Sequence, residues 1–247
     1  MKIQHWLVLG LILVLAACGS PAVSTPAATP EPIYIAYPDA LQPWMNRISN
    51  CASNNPQVAV YISQSNLFDS NLSNNEIALS FGQLDNDYSD LYLSQVGWEQ
   101  LVVVVNQANP LTRLSAPQLK SLFSGQMAVW EEGTKSRVQV WVLPQDEPIR
   151  RIFDQIVMQG NRVTTEAMLA PDISAMLEAI SENNDAIGYL TSSWIETDDA
   201  AITDKVKIIQ LDAPLENNLL QSVIAITQSE PAGLQRELLA CLSKTIP

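Results

Sequence analysis

The chain has 247 residues, with 26 Asp and Glu against 13 Lys and Arg, a formal charge of −13. That length gives one large domain or two small ones, each able to bury its own core. The acidic balance argues against nucleic acid, which needs clustered Lys and Arg to displace phosphate counterions, and against docking on an anionic membrane by charge alone. The one histidine, His5, lies in an N-terminal leader. A chain processed behind it has no imidazole for a Ser-His-Asp triad, a Cys-His pair or a His-ligated metal.

Residues 1–17 read as a signal peptide. Lys2 supplies the positive start, and Trp6 to Val14 is apolar but too short for a span of ~20 residues. Leu15-Ala16-Ala17-Cys18 resembles a bacterial lipobox, which implies lipid attachment at Cys18 and an anchored, extracytoplasmic protein. Residues 18–32, rich in Pro, Ser, Thr and Ala without an apolar period, read as a semi-extended linker.

From Ile33 the elements alternate. Ile33–Ala36 is a predicted strand, and Asp39–Asn50 a helix with Asp39 as N-cap and Pro43 in its first turns. Val58–Ile62 and Ile77–Phe81 are short apolar runs of the buried-strand kind, and Leu101–Val105 is the strongest strand pattern. Ser115 caps a helix that ends at Phe123, where Gly125 stops it. Val138–Leu143 is a strand, and Glu147–Met158 a helix with Ile149, Ile152, Phe153 and Ile156 inward. Ile173–Ile180 is a helix, Ile187–Leu190, Val206–Leu211 and Ser222–Thr227 are strands, and Gly233–Ser243 is the last helix. This order predicts an open, largely parallel sheet covered on both faces. Cys51 and Cys241, outside the membrane, are either a disulfide or two buried thiols.

Asn109-Pro110-Leu111, then Leu114 to Gly125 (LSAPQLKSLFSG), then Trp130 and Ala186-Ile187-Gly188-Tyr189, resemble the ordered second-lobe signature of phosphate-type ABC transporter substrate-binding proteins. The resemblance implies an α/β, two-lobed class II periplasmic-binding-protein fold, with open mixed sheets covered by helices and a hinge between the lobes. Lobe one would take residues 33–104 and 191–247, and lobe two residues 105–190. It also implies a small ligand in the interlobe cleft, held by helix N-termini, and closure that presents a surface to a membrane permease.

The family's ligand residues do not carry over. The places of its S-G-T run hold Glu147-Pro148-Ile149, and Leu143 stands where its arginine would be. Pro148 offers no N–H, and a carboxylate about 4 Å from a phosphate charge costs on the order of 4 kcal/mol at an effective dielectric of 20. The expected cleft residues are Tyr37, Ser63, Gln64, Ser65, Ser80, Phe81, Glu147 and Arg150, with Gln83 a further amide. For Arg150 there are two readings: an anchor for an oxyanion, or a solvated helix face on which Asp146 caps and Glu147 pairs with Arg150 and Arg151.

The function that follows is a lipid-anchored, monomeric solute-binding protein taking a phosphate-like anion or small organic acid to an ABC permease. The alternative is a degenerate binding domain used as an extracytoplasmic sensor or interaction module. No cofactor, metal or enzyme activity is expected: Asp85, Asn86, Asp87 and Asp90 lack the spacing of a calcium loop, and Asp198 and Asp199 are adjacent on a loop with nothing to place them in a cleft.

Overall fold

The computed structural model describes residues 31–55, 57–65, 72–82, 84, 88–130, 135–196 and 200–244. The leader, the linker as far as Pro30, the acylation site Cys18, Gln83, Asp85, Asn86, Asp87, Asp198 and Asp199 lie outside those residues.

The strands are β1 (Glu31–Tyr37), β2 (Val58–Gln64), β3 (Glu76–Phe81), β4 (Tyr92–Asn106), β5 (Arg113–Leu114), β6 (Gln139–Val142), β7 (Met168–Leu169), β8 (Ala186–Thr191), β9 (Val206–Ile208), β10 (Gln210–Leu211) and β11 (Leu220–Thr227). The helices are α1 (Trp44–Ser53), α2 (Ala116–Phe123), α3 (Pro148–Phe153), α4 (Ile173–Glu182), α5 (Ala200–Thr203), α6 (Ala213–Asn218) and α7 (Gly233–Lys244). The main sheet runs β2-β1-β3-β11-β4-β8-β6-β7, with β9 also on β4, and β5 and β10 pair separately. It is mixed rather than largely parallel: β1 is parallel to β2 and β3, and β6 to β7 and β8, but β11 and β8 both run antiparallel to β4.

β4 is the spine of the molecule. At fifteen residues it extends about 50 Å, far beyond the Leu101–Val105 segment that its apolar run marks. Its first part pairs with β11 up to Gln100, and its second part pairs with β8 from Leu101 onward. The partner of β4 therefore changes between Gln100 and Leu101. β11 pairs with β4 only as far as Gln100, and β9 takes up Val104 to Asn106 while β10 joins β5. β1 starts two residues early, with Glu31 and Pro32 opposite Val58 and Ala59.

The expected helix from Asp39 breaks in two. Residues 39–41 form a 3₁₀ turn, and Pro43, lacking an N–H, stands as the N-cap residue of α1. The helix expected over 147–158 is α3 followed by a π-helical turn, Asp154–Met158, closed by Gln159 N–H to Asp154 O at 2.9 Å. α2 begins as the sequence predicts, with a capping box in which Ser115 Oγ accepts from Gln118 N–H and the Gln118 side chain accepts from Ser115 N–H. α1 and α7 pack together on lobe one and are bridged by Cys51–Cys241, Cα atoms 5.8 Å apart.

The signature residues prove to be core and scaffold. Tyr189 is fully buried and stacks on Phe153 at 4.0 Å, while Phe123 closes the same cluster at 4.5 Å from Phe153. Any side chain at Gly188 would meet Met176 Sδ and Ile180 Cδ1 at 2.8 Å, so the glycine lets α4 lie directly on β8. Asn109 accepts from Leu111 N–H and donates to Asn184 O, both at 2.9 Å, which ties the loop after β4 to the loop before β8.

Candidate functional site: the groove between the lobes

A cavity of about 360 Å³ lies between the lobes. Phe81 at the end of β3 with Asn218 and Gln221 beside the start of β11 form its lobe-one wall. Lobe two contributes Pro148, Arg151, Ile152, Gln155, Ile156 and Gln159. Pro148, Arg151, Gln155 and Gln159 recur at intervals of three, four and four residues, one stripe of a helix. The π turn supplies Gln155 and Ile156 at the point where the stripe reaches the groove, and π-helical turns concentrate at functional sites. Gln159 ends the stripe at φ 50°, and its Oε1 accepts from Lys120 Nζ at 3.4 Å. The lining carries four carboxamides and one guanidinium, and among these residues there is no carboxylate.

The lobes touch beside this cavity. A Cβ on Gly82 would stand 2.5 Å from Ile152 Cδ1, so the left-handed turn after β3 (φ 84°) packs its bare backbone against α3. A second contact centres on Asp39, which is 3 % exposed. Its Oδ2 accepts from the N–H of Ile173, the first residue of α4, at 2.9 Å, and its Oδ1 accepts from Gln64 Nε2 at 3.2 Å. Asp172 caps α4 from within, accepting from Ala175 N–H at 2.7 Å. Within lobe one, Thr191 Oγ1 donates to Ala40 O at 2.8 Å.

The expected site residues divide accordingly. Tyr37, Gln64 and Ser65 gather at the ends of β1 and β2 around Asp39: Tyr37 is in register with Gln64, and Ser65 N–H donates to Tyr37 O at 2.8 Å. Burial, then the Asp39 carboxylate, push the Tyr37 hydroxyl up from its ordinary value. Phe81 joins the groove. Ser63 is exposed on the edge strand, and Ser80 is buried within β3 opposite Ile224.

Glu147 is buried at the N-cap position of α3, but its side chain makes no cap bond. Arg150 is neither a cleft anchor nor a solvated residue. It is buried inside lobe two, where Nε donates to Asp154 Oδ2 at 2.8 Å and a terminal nitrogen to Leu143 O at 2.7 Å. Its neighbour Arg151 lines the groove instead, with a bond to Asp146 O at 3.2 Å. Arg151, Gln155 and Gln159 escape a reading that follows only apolar spacing, although with Pro148 they keep a three-four-four spacing. Asn218 and Gln221 carried no local signal.

Burial, with Asp172 adding to it, raises the Asp39 carboxyl above its ordinary range, against the lowering effect of the Ile173 N–H and Gln64. The folded chain therefore holds this proton more tightly than the unfolded one. The stability that the proton contributes is complete below the ordinary carboxylate value of about 3.9 and is lost as pH rises through the folded value. Thermal unfolding from pH 3 to 7 is expected to show Asp39→Asn gaining on the wild type as pH rises above about 4. Parallel profiles would refute the shift.

A model of the PBP superfamily domain matches residues 68–236, most of the chain and both walls of the groove. The chain belongs to the PBP superfamily. Among solved structures, this PBP superfamily chain is similar to a putative phosphate ABC transporter substrate-binding protein with bound phosphate from Clostridium perfringens. The TM-score is 0.70 at 17 % identity, over 86 % of this chain and 93 % of that one. An ABC-type phosphate transport receptor from Vibrio cholerae gives 0.61 at 21 % identity, over 86 % and 93 %. The CcmR regulatory domain of Synechocystis, in complex with 2-PG, gives 0.65 at 12 % identity, over 87 % and 99 %. At these identities the likeness is one of fold, the type II periplasmic-binding-protein fold. No curated protein matches the sequence. Among the described residues no helix is long and apolar enough to cross a membrane.

Proposed function

We propose that the chain is a lipid-anchored extracytoplasmic solute-binding protein that carries a small organic anion in its interlobe groove to an ABC permease. The observation that carries this reading is the groove's lining: a guanidinium and four carboxamides beside Phe81 and Ile152, with no carboxylate among the lining residues of a chain that has twice as many acids as bases. An Arg with amide donors suits a carboxylate that also presents an apolar or hydroxylated body. Inorganic phosphate is disfavoured because α3 starts at Pro148, which has no N–H, behind the buried Glu147. The fold supports a binding role rather than catalysis, and the lipobox at Cys18 supports the anchor.

Thermal unfolding against inorganic phosphate, other oxyanions, amino acids and small organic acids tests the reading. An organic acid at 100 times its Kd is expected to add about 2.7 kcal/mol, or roughly 5–10 °C for a chain of this size, and Arg151→Gln to abolish that shift. A shift with phosphate instead would overturn the ligand class but keep solute binding. No shift across the panel would favour the second reading, a sensor or interaction domain. The direct contacts of Gly82 with Ile152 and of Asp39 with Ile173 across the lobes support that reading.

A further inference from the structure

The Asp39 carboxylate belongs to lobe one and is almost fully buried, yet the shortest hydrogen bond it accepts comes from the first N–H of α4 in lobe two, 134 residues away in the chain. A carboxylate at a helix start is favoured by unpaired N–H groups and by the helix dipole. Asp172 already caps this helix at Ala175. Asp39 is therefore a second carboxylate at the same helix start, supplied by the opposite lobe.

We infer that Asp39 is a built-in latch that holds the two lobes together, by seating a carboxyl group of lobe one on the first N–H of α4. The seat of Ile152 on Gly82 closes with it. The groups around the carboxylate are Tyr37 from β1, Gln64 from β2 and Asp172 from α4. Burial and the Asp172 charge favour the protonated carboxyl, whose Oδ2 still accepts from the Ile173 N–H. This regulation rests on the two-lobed reading of the groove but not on the ligand's identity, because its test uses no ligand.

Hydroxyl-radical footprinting of the full chain, without added solute, reads the exposure of Phe81 and Ile152, which are 2 % and 7 % exposed at the interlobe contact. In the wild type both are expected to be protected relative to the exposed Tyr61. In Asp39→Ala their modification is expected to rise several-fold while Phe123 and Phe153, inside lobe two, stay protected. Asp39→Asn, which keeps an acceptor for Ile173, is expected to behave as the wild type. Unchanged protection of Phe81 and Ile152 in a folded Asp39→Ala chain overturns the latch. If Asp39→Ala unfolds, with Phe123 and Phe153 reactive, the wild type decides: Phe81 as reactive as Tyr61 overturns the proposal, and protection with retained closure in Asp39→Asn supports it.

Discussion

Removing the Cys51–Cys241 bridge is expected to lower stability by about 5 kcal/mol, the chain-entropy cost of releasing a loop whose ends are 190 residues apart. The bridge joins α1, near the start of lobe one, to α7, at its end, and the whole of lobe two is inserted between them. Without it, lobe one must bring together two distant stretches of chain unaided. The packing of α1 on α7 and the bond from Asn55 Nδ2 to Glu237 Oε2, 2.9 Å, hold the folded ends in place. The loss is therefore expected in the freedom of the unfolded chain more than in native contacts. At roughly 2–4 °C per kcal/mol for a chain of this size, the double variant Cys51→Ser with Cys241→Ser is expected to melt about 10–20 °C below the oxidised wild type, and reductant to bring the wild type to the same point. A difference under 2 °C would show that residual unfolded-state structure already keeps the ends close.

The second large effect is expected at Glu99, a carboxylate 3 % exposed on β4 one residue before the strand changes partner. Three donors converge on it. Trp44 Nε1 lies 2.6 Å from Oε2, Ser192 Oγ 2.9 Å from Oε1, and the Ser193 N–H 3.1 Å from the same oxygen. Trp44 is itself fully buried, with Arg47 over its ring at 4.8 Å, so its N–H has no route to water. Glu99→Ala strands three donors at about 1–3 kcal/mol each and opens a cavity. A loss of roughly 4 kcal/mol in denaturant unfolding is expected, with an unchanged m-value. Glu99→Gln keeps Oε1 for Ser192 and Ser193 but sets an amide N–H₂ against the Trp44 N–H, so a smaller loss is expected. Equal stability of Glu99→Ala and wild type would mean that water replaces the carboxylate and that this point of β4 is wet.

Much of the fold was legible because its determinants are local. The Ser115 cap, the apolar run of β4 and the amphipathic run from Ile173 to Ile180 each declare themselves within a few residues. The same locality misled at Asp39, whose position before an apolar helical pattern predicts an N-cap of its own helix. Pro43 breaks that helix, and the carboxylate caps one from the other lobe. At Arg150 local pattern left a cleft anchor and a solvated face both open, whereas the side chain is buried with bonds to Asp154 and Leu143 O.

What the sequence by itself determined is the family: an ordered set of packing residues, Asn109, Phe123, Gly188 and Tyr189, that specifies the second lobe whatever the ligand. The tertiary structure alone decided the site. Arg151, Gln155 and Gln159 meet Asn218 and Gln221 only when β4 brings two lobes face to face. Asp39 and Ile173 become partners only across the closed groove. A core is written in short-range periodicity because each element must bury one face. A cleft is made from ends of elements far apart in the chain, and hydrogen bonds between such ends leave no periodic trace.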